Sequence, residues 1–188
     1  MHKIKKIFAP YFGIILFAVA LFGANILWKS IIFGDESSLV VLLFNKFDVS
    51  DFFSVMSQHT AKMVCAIINF LGNKIVVING IFLTYPNGHG IKVVWGCTGI
   101  KQTFIFLCIM LLARGRWKDK LWFIPVGCFL SYVINILRIA AITMIVKNHQ
   151  HLFHLYHDYL FKYTYYGLIF LIWLFWEEKI RKKLKDKS

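Results

Sequence analysis

Residues 7–28 run for 22 positions without a charged side chain and follow Lys3, Lys5 and Lys6. A helix of that length rises about 33 Å, enough to cross a hydrocarbon layer of about 30 Å. No other feature constrains the fold as much, because lipid cannot hydrogen-bond the backbone and only helices or closed barrels span it. Comparable runs follow at 96–113, interrupted by Lys101, at 121–146, where Arg138 is the single charge, and at 159–176. The expectation is an all-α, multi-pass integral membrane helical bundle. Residues 1–188 read as a single membrane domain with about four spans, 7–28, 96–113, 121–146 and 159–176, and an outer segment, 29–95.

Composition supports that reading. Hydrophobic residues make up 59% of the chain, against roughly 45–50% in soluble domains. A core of 188 residues cannot hide such a surplus. The net charge of +13 comes from 22 Lys+Arg against 9 Asp+Glu. These bases flank membrane-length runs instead of lining a water-facing stripe, so nucleic acid is not an expected partner. Ala18-Val19-Ala20 resembles a signal-peptide cleavage site, but the apolar run continues unbroken to Trp28, which argues against cleavage.

Charge bias sets the orientation. The N-terminal segment, the turn Arg114-Gly115-Arg116-Trp117-Lys118-Asp119-Lys120 and the tail after Glu177 together hold 13 of the 22 basic residues. By the positive-inside rule they face the cytoplasm, which puts both termini inside and residues 29–95 and 147–158 on the outer face. Within the outer segment, residues 52–71 have helical apolar spacing broken by Ser57, Gln58, His59 and Lys62, which suits an interfacial helix lying on the membrane as a lid. Residues 75–85 are rich in β-branched and aromatic types and end at Pro86-Asn87-Gly88, so a short outer hairpin with residues 92–95 is expected.

Against this background the ionisable groups inside the spans stand out. Arg138 lies 17 residues after Leu121, about 25 Å along a helix. An intramembrane Arg costs about 2.5–3.5 kcal/mol on insertion scales. Ser131, Asn135 and Arg138 follow i, i+4, i+7 and share one stripe, which should face the bundle interior. Snorkelling by Arg138 and helix gluing by Asn135 are the structural alternatives.

Cys97 stands at the outer mouth of the second run in Trp95-Gly96-Cys97-Thr98-Gly99-Ile100-Lys101, where the glycines allow close approach of another backbone. A helix N-terminus lowers a thiol pKa. Lys101, read as i+4 from Cys97 on the same face, either favours the thiolate or snorkels outward, and the second role is preferred. Cys65, Cys108 and Cys128 read as small buried hydrophobes. His149, His151, His154 and His157 follow the third run, and one of them suits a general base for a thiol. No metal-ligand spacing accompanies them, so neither a metal nor another cofactor is expected. Cys97, Arg138 and the His157 region converge on one outer layer although 41 and 19 residues separate them. A thiol, a base and a cation are the parts of an acyl-transfer site.

At these residues the sequence resembles the exosortase/archaeosortase family of membrane-embedded cysteine transpeptidases. That family's signature is a Cys-Ser/Thr-Gly-Ile element, an Asn-x-x-Arg-Ile element and a histidine before a final span. Cys97-Thr98-Gly99-Ile100 matches the first, Asn135-Ile136-Leu137-Arg138-Ile139 the second, and His157-Asp158-Tyr159, leading into Tyr166-Gly167-Leu168-Ile169-Phe170, resembles the third. The resemblance covers roughly residues 90–176. It implies that Cys97 attacks a peptide bond near the C-terminus of an exported protein to form a thioester, that Arg138 stabilises the oxyanion and that His157 handles the protons. Thr98, Gly99, Asn135, Ser131 and Lys101 are then supporting residues. The implied partners are exported proteins ending in a short motif, a transmembrane helix and a basic tail, together with membrane lipids, at the inner or plasma membrane. His154 is the alternative to His157. Two other classes compete: a membrane thiol-disulfide oxidoreductase, which the absence of a Cys-x-x-Cys pair disfavours, and a non-catalytic membrane scaffold.

Overall fold

The computed structural model describes residues 12–35, 40–148 and 161–185. Among these residues five α-helices dominate: α1 Phe12–Ile31, α2 Ser50–Phe70, α3 Ile100–Leu112, α4 Trp117–Val146 and α5 Phe161–Lys185. Two three-stranded antiparallel sheets join α1 to α2 and α2 to α3. The first is β1 Ile32–Phe33, β2 Leu42–Leu43 and β3 Phe47–Asp48, and the second is β4 Val76–Ile78, β5 Phe82–Thr84 and β6 Gly90–Lys92.

Helices occupy all four apolar regions, with shifted ends. Among the described residues, the part of α1 from Gly13 to Ile31 and the whole of α4 are long and apolar enough to cross a membrane. The third helix has only 13 residues, about 20 Å, and starts four positions later than the expected 96. Gly99 causes the delay, because its φ of +79° is a left-handed conformation that cannot continue a helix backwards. The fifth runs nine residues past Trp176, through Glu177 and Glu178 into the basic tail. At 30 residues α4 is about 45 Å long, well beyond the hydrocarbon thickness.

Between helices in lipid, close packing has to supply the attraction that water would otherwise provide. Accordingly Ala20 and Ala24 of α1 sit buried with Ile105, Ile109 and Met110 of α3. A Cβ at Gly127 of α4 would lie 2.2 Å from the Phe106 ring, so only glycine lets α3 and α4 approach this closely. From α5, Phe170 meets Phe17 edge-on and Trp173 meets it at a tilt, at centroid distances of 5.2 and 4.9 Å. Trp176 Nε1 donates to Arg114 O at 2.8 Å, and Lys120 Nζ donates to Leu111 O at 3.0 Å, which ties the turn between α3 and α4 to both neighbouring helices.

The helix expected over 52–71 forms, but its partner is α4. His59 Nε2 lies 2.8 Å from the Tyr132 hydroxyl, and Asn73, just beyond α2, accepts a bond from Lys147 Nζ at 2.7 Å. Both helices advance together between those contacts, and Ala61, Val64 and Ile68 share a core with Ile136, Ile139 and Ala140. The stripe Ala61, Val64 and Ile68 is spent on the Val146 half of α4, so α2 runs alongside that helix, while Phe52, Val55, Met63 and Phe70 stay exposed.

The hairpin expected over 75–85 and 92–95 is a three-stranded meander. Residues 75–85 do not form one strand, because Asn79 and Gly80 take φ of +49° and +76° and turn the chain between β4 and β5. With both φ positive, Asn79-Gly80 makes a tight turn closed by Ile81 N–H to Ile78 O at 3.3 Å, and Ile81 is a third loop residue before Phe82 pairs with Ile78. The Asn-Gly pair was present in the sequence as a hairpin signal inside an apparently continuous run. Phe44 and Asn45, at φ of +51° and +55°, make the corresponding turn between β2 and β3.

Candidate active site

Cys97 does not stand on α3. It closes a single 3-10 turn, Trp95–Cys97, in which its own N–H donates to Val94 O at 2.9 Å. Thr98, buried, donates its hydroxyl to Trp95 O at 2.7 Å, so that side chain is committed to holding the turn. Gly99 then reverses the backbone before α3 begins. This break cancels the i, i+4 relation expected between Cys97 and Lys101. Lys101 lies half-buried in the first turn of α3 and does not line the cavity at Cys97.

The facing wall comes from α4. Ser131 and Asn135 are 1% and 0% exposed, and Arg138 is half-buried, so the polar stripe faces inward as its spacing requires. Asn135 Nδ2 donates to Cys97 O at 2.8 Å. A Cβ on Gly99 would lie 2.9 Å from Asn135 Cγ. Glycine is therefore required at 99 twice, once by φ and once by the passing amide.

Cys97 and Arg138 line one cavity together with Ile91, Lys92 and Val93 of the β6 strand and its extension, and Ile139 and Ile142 of α4. Arg138 also lines a second, almost wholly apolar groove between α4 and α5, with Ile134, Leu137, Ala141, Tyr165 and Leu168. Arg138 thus lies on the wall between a small cleft that holds Cys97 and a larger apolar one that holds Tyr165. Among the described residues, Arg138 Nε and Asn135 Oδ1 are buried without a hydrogen-bond partner. Five further buried side-chain atoms share this state, Ser131 Oγ on the same stripe among them, and strain, ordered water or a working role are the causes such groups have.

Sequence reasoning missed Tyr165. Its side chain is 2% exposed, its hydroxyl donates to Ser131 O at 3.0 Å, and its ring centroid lies 6.0 Å from Arg138 Cζ. That ring face limits where the guanidinium can rest. The available signal was the stripe Tyr165, Ile169, Trp173 and Trp176, whose buried face has Tyr165 as its hydroxyl-bearing member.

The other thiols are placed differently. Cys65 donates to Ile75 O at 3.5 Å, and burial pushes its pKa up despite a bond from Asn69. Cys108 and Cys128 pack against the apolar cluster of α1, α3, α4 and α5. None of the four cysteines forms a disulfide. His149, His151, His154 and His157 lie outside the described residues. Among the described residues no group of three or more His, Cys, Asp or Glu is placed to hold a metal.

Residues 6–175 match the transmembrane exosortase family, and that stretch is most of the chain. The chain belongs to the transmembrane exosortase family. In this exosortase the match reaches well upstream of residues 90–176, where the motifs lie, and takes in α1, both sheets and α2. The segment 29–95 is accordingly part of the exosortase fold and no private appendage. No curated protein and no solved structure matches the chain. Family membership and the two long apolar helices make this exosortase a membrane protein.

Proposed function

We propose that this exosortase is a membrane cysteine protease or transpeptidase that cleaves the C-terminal sorting signal of exported proteins. One observation carries the reading: Cys97 and Arg138, 41 positions apart, line the same cavity, with Asn135 fastening the Cys97 backbone to the helix that carries Arg138. A thiol-bearing and a guanidinium-bearing residue on one cleft wall supply a nucleophile and an oxyanion donor, which acyl transfer needs.

In this reading the Cys97 thiol gives its proton to His157, and the thiolate attacks the carbonyl carbon of the scissile peptide bond. The carbonyl oxygen becomes an oxyanion, for which Arg138 Nε is a donor that the resting site leaves unpartnered. Collapse breaks the C–N bond, His157 returns the proton to the departing amine, and a thioester remains on Cys97. An acceptor amine or water then attacks the thioester and frees the thiol. Thr98 and Gly99 hold the turn, Ser131 and Asn135 continue the polar stripe, and Lys101 supports the first turn of α3. The same reading gives the chain four membrane segments at the inner or plasma membrane, with both termini in the cytoplasm and Cys97 near the outer face. Its partners are exported proteins with a motif, a transmembrane helix and a basic tail, embedded in the same lipids.

The test is co-expression of an exported protein of that design with wild type, Cys97→Ala and Cys97→Ser. Expected are tail removal that depends on Cys97 and a thioester-linked adduct at Cys97 in trapped samples. Processing by both variants at the wild-type rate overturns the reading.

A further inference from the structure

The strand β6 ends the sheet β4-β5-β6 and leads through Val93 and Val94 straight into the turn that holds Cys97. Hydrogen-bond parity fixes which of its backbone groups are used inside the sheet. Tyr85 N–H donates to His89 O at 2.8 Å and Val93 N–H donates to Ile81 O at 2.8 Å, while Ile91 opposes Leu83. In an antiparallel ladder such pairs alternate, so residues 89, 91 and 93 face β5 and the N–H and C=O of Gly90 and Lys92 face away from it. Among the described residues nothing bonds to those outward groups.

The strand that carries this free edge also walls the candidate site. Of the three strands only β6 contributes to the cavity wall, with Arg138, Ile139 and Ile142 opposite and Cys97 at one end. An open strand edge beside a cleft is a template for an extended chain, which gains main-chain bonds whatever its side chains. We infer that the substrate segment preceding the scissile bond binds as an added strand on the free edge of β6, an inference that rests on the function proposed above.

The direction of that strand follows from the fold. His89 Nδ1 donates to Lys147 O at 3.1 Å, at the Val146 end of α4, whereas Cys97 O meets Asn135, 12 residues nearer the Trp117 end. From His89 to Cys97 the chain therefore descends by about 18 Å along α4. With the substrate's own apolar helix anchored in the membrane, the residues ahead of the cleaved bond come from the exported side and descend the same way. The added strand is parallel to β6, and the outward N–H and C=O of Lys92 supply its nearest pair of bonds to Cys97.

Replacing Lys92 by proline tests this, because it deletes an N–H that the sheet does not use and keeps an extended backbone. With the co-expressed reporter described above, Lys92→Pro should slow Cys97-dependent tail removal about tenfold, the equivalent of one hydrogen bond. Lys92→Ala loses the same side chain but keeps the N–H, so Lys92→Pro should process about tenfold more slowly than Lys92→Ala. As a fold control, Val93→Pro removes the bond to Ile81 and should lower the amount of protein in the membrane. A second measurement does not depend on rate: photoreactive residues placed one at a time upstream of the reporter's cleavage site, in a Cys97→Ala background. Cross-links that move from Val94 toward Gly90 as the probe moves upstream are expected. Normal processing by Lys92→Pro, or cross-links that avoid β6 or run in the opposite order, overturns the inference while the cysteine mechanism stands. Absence of any Cys97-dependent processing overturns the proposed function and this inference with it.

Discussion

The Asn135 side-chain amide donates to the main-chain oxygen of Cys97 at 2.8 Å, joining the middle of α4 to the turn that carries the thiol. The amide is fully buried, so its loss leaves Cys97 O without that donor and the turn without its tie. Asn135→Ala is expected to reduce stability by about 1–3 kcal/mol and to reduce tail removal more steeply than protein level. Asn135→Asp is nearly isosteric, but an ionised carboxylate cannot donate to a carbonyl. It should therefore behave like Asn135→Ala in a processing assay, and wild-type rates in Asn135→Asp would show that the bond is dispensable.

Gly99 gives a second prediction from the same contact. A methyl group at 99 meets both a φ of +79° and the Asn135 amide at 2.9 Å. Gly99→Ala should lower the melting temperature in detergent by the equivalent of about 1–3 kcal/mol. At Gly23, inside α1, a Cβ meets nothing within 4 Å. Gly23→Ala should be neutral or slightly stabilising, since alanine is favoured over glycine in a helix by about 1 kcal/mol. Equal behaviour of the two variants would contradict the strain argument.

How much of this was legible depended on the range of the interaction. The apolar runs marked the helical regions around α1, α3, α4 and α5, and the i, i+4, i+7 spacing of Ser131, Asn135 and Arg138 was enough to turn them inward together. Helix ends were less legible, because the start of α3 is decided by the left-handed Gly99, whose place against Asn135 no local pattern reports. The hairpin at Asn79-Gly80 carried a local signal that the surrounding β-branched run obscured. Least legible were α2 and Tyr165. Pairing α2 with α4 depends on contacts such as His59 with Tyr132, 73 positions apart, and Tyr165 reaches Ser131 across 34. No periodicity within one element reports on such partners.

Tyr165 separates a hydrogen bond from a ring contact. Tyr165→Phe removes the donor to Ser131 O and keeps the ring 6.0 Å from Arg138 Cζ. It should cost about 1 kcal/mol of stability while processing stays within about threefold of wild type. Tyr165→Leu also removes the ring and lets the guanidinium move into the apolar groove that both residues line. The expected fall in processing is about tenfold or more, since a cation–π contact is worth about 1–2 kcal/mol. Identical rates for the two variants would remove Tyr165 from the positioning of Arg138.

The histidine arm is best tested by charge state. A general base must come within hydrogen-bond reach of the thiol, about 2.6–3.2 Å or one water away, and of the two candidates His157 is the nearer in sequence to the start of α5. His157→Ala should abolish tail removal, and His154→Ala should leave most of it. The two substitutions differ little in size or charge change, so a scaffold role would make them equivalent. The pH dependence adds an independent reading. A neutral imidazole that accepts the thiol proton is lost on protonation, so processing by wild type should show an acidic limb. That acidic limb should persist unchanged in His154→Ala. Equal loss in both variants, or a greater loss in His154→Ala, would move the base to the other histidine or away from the arm altogether.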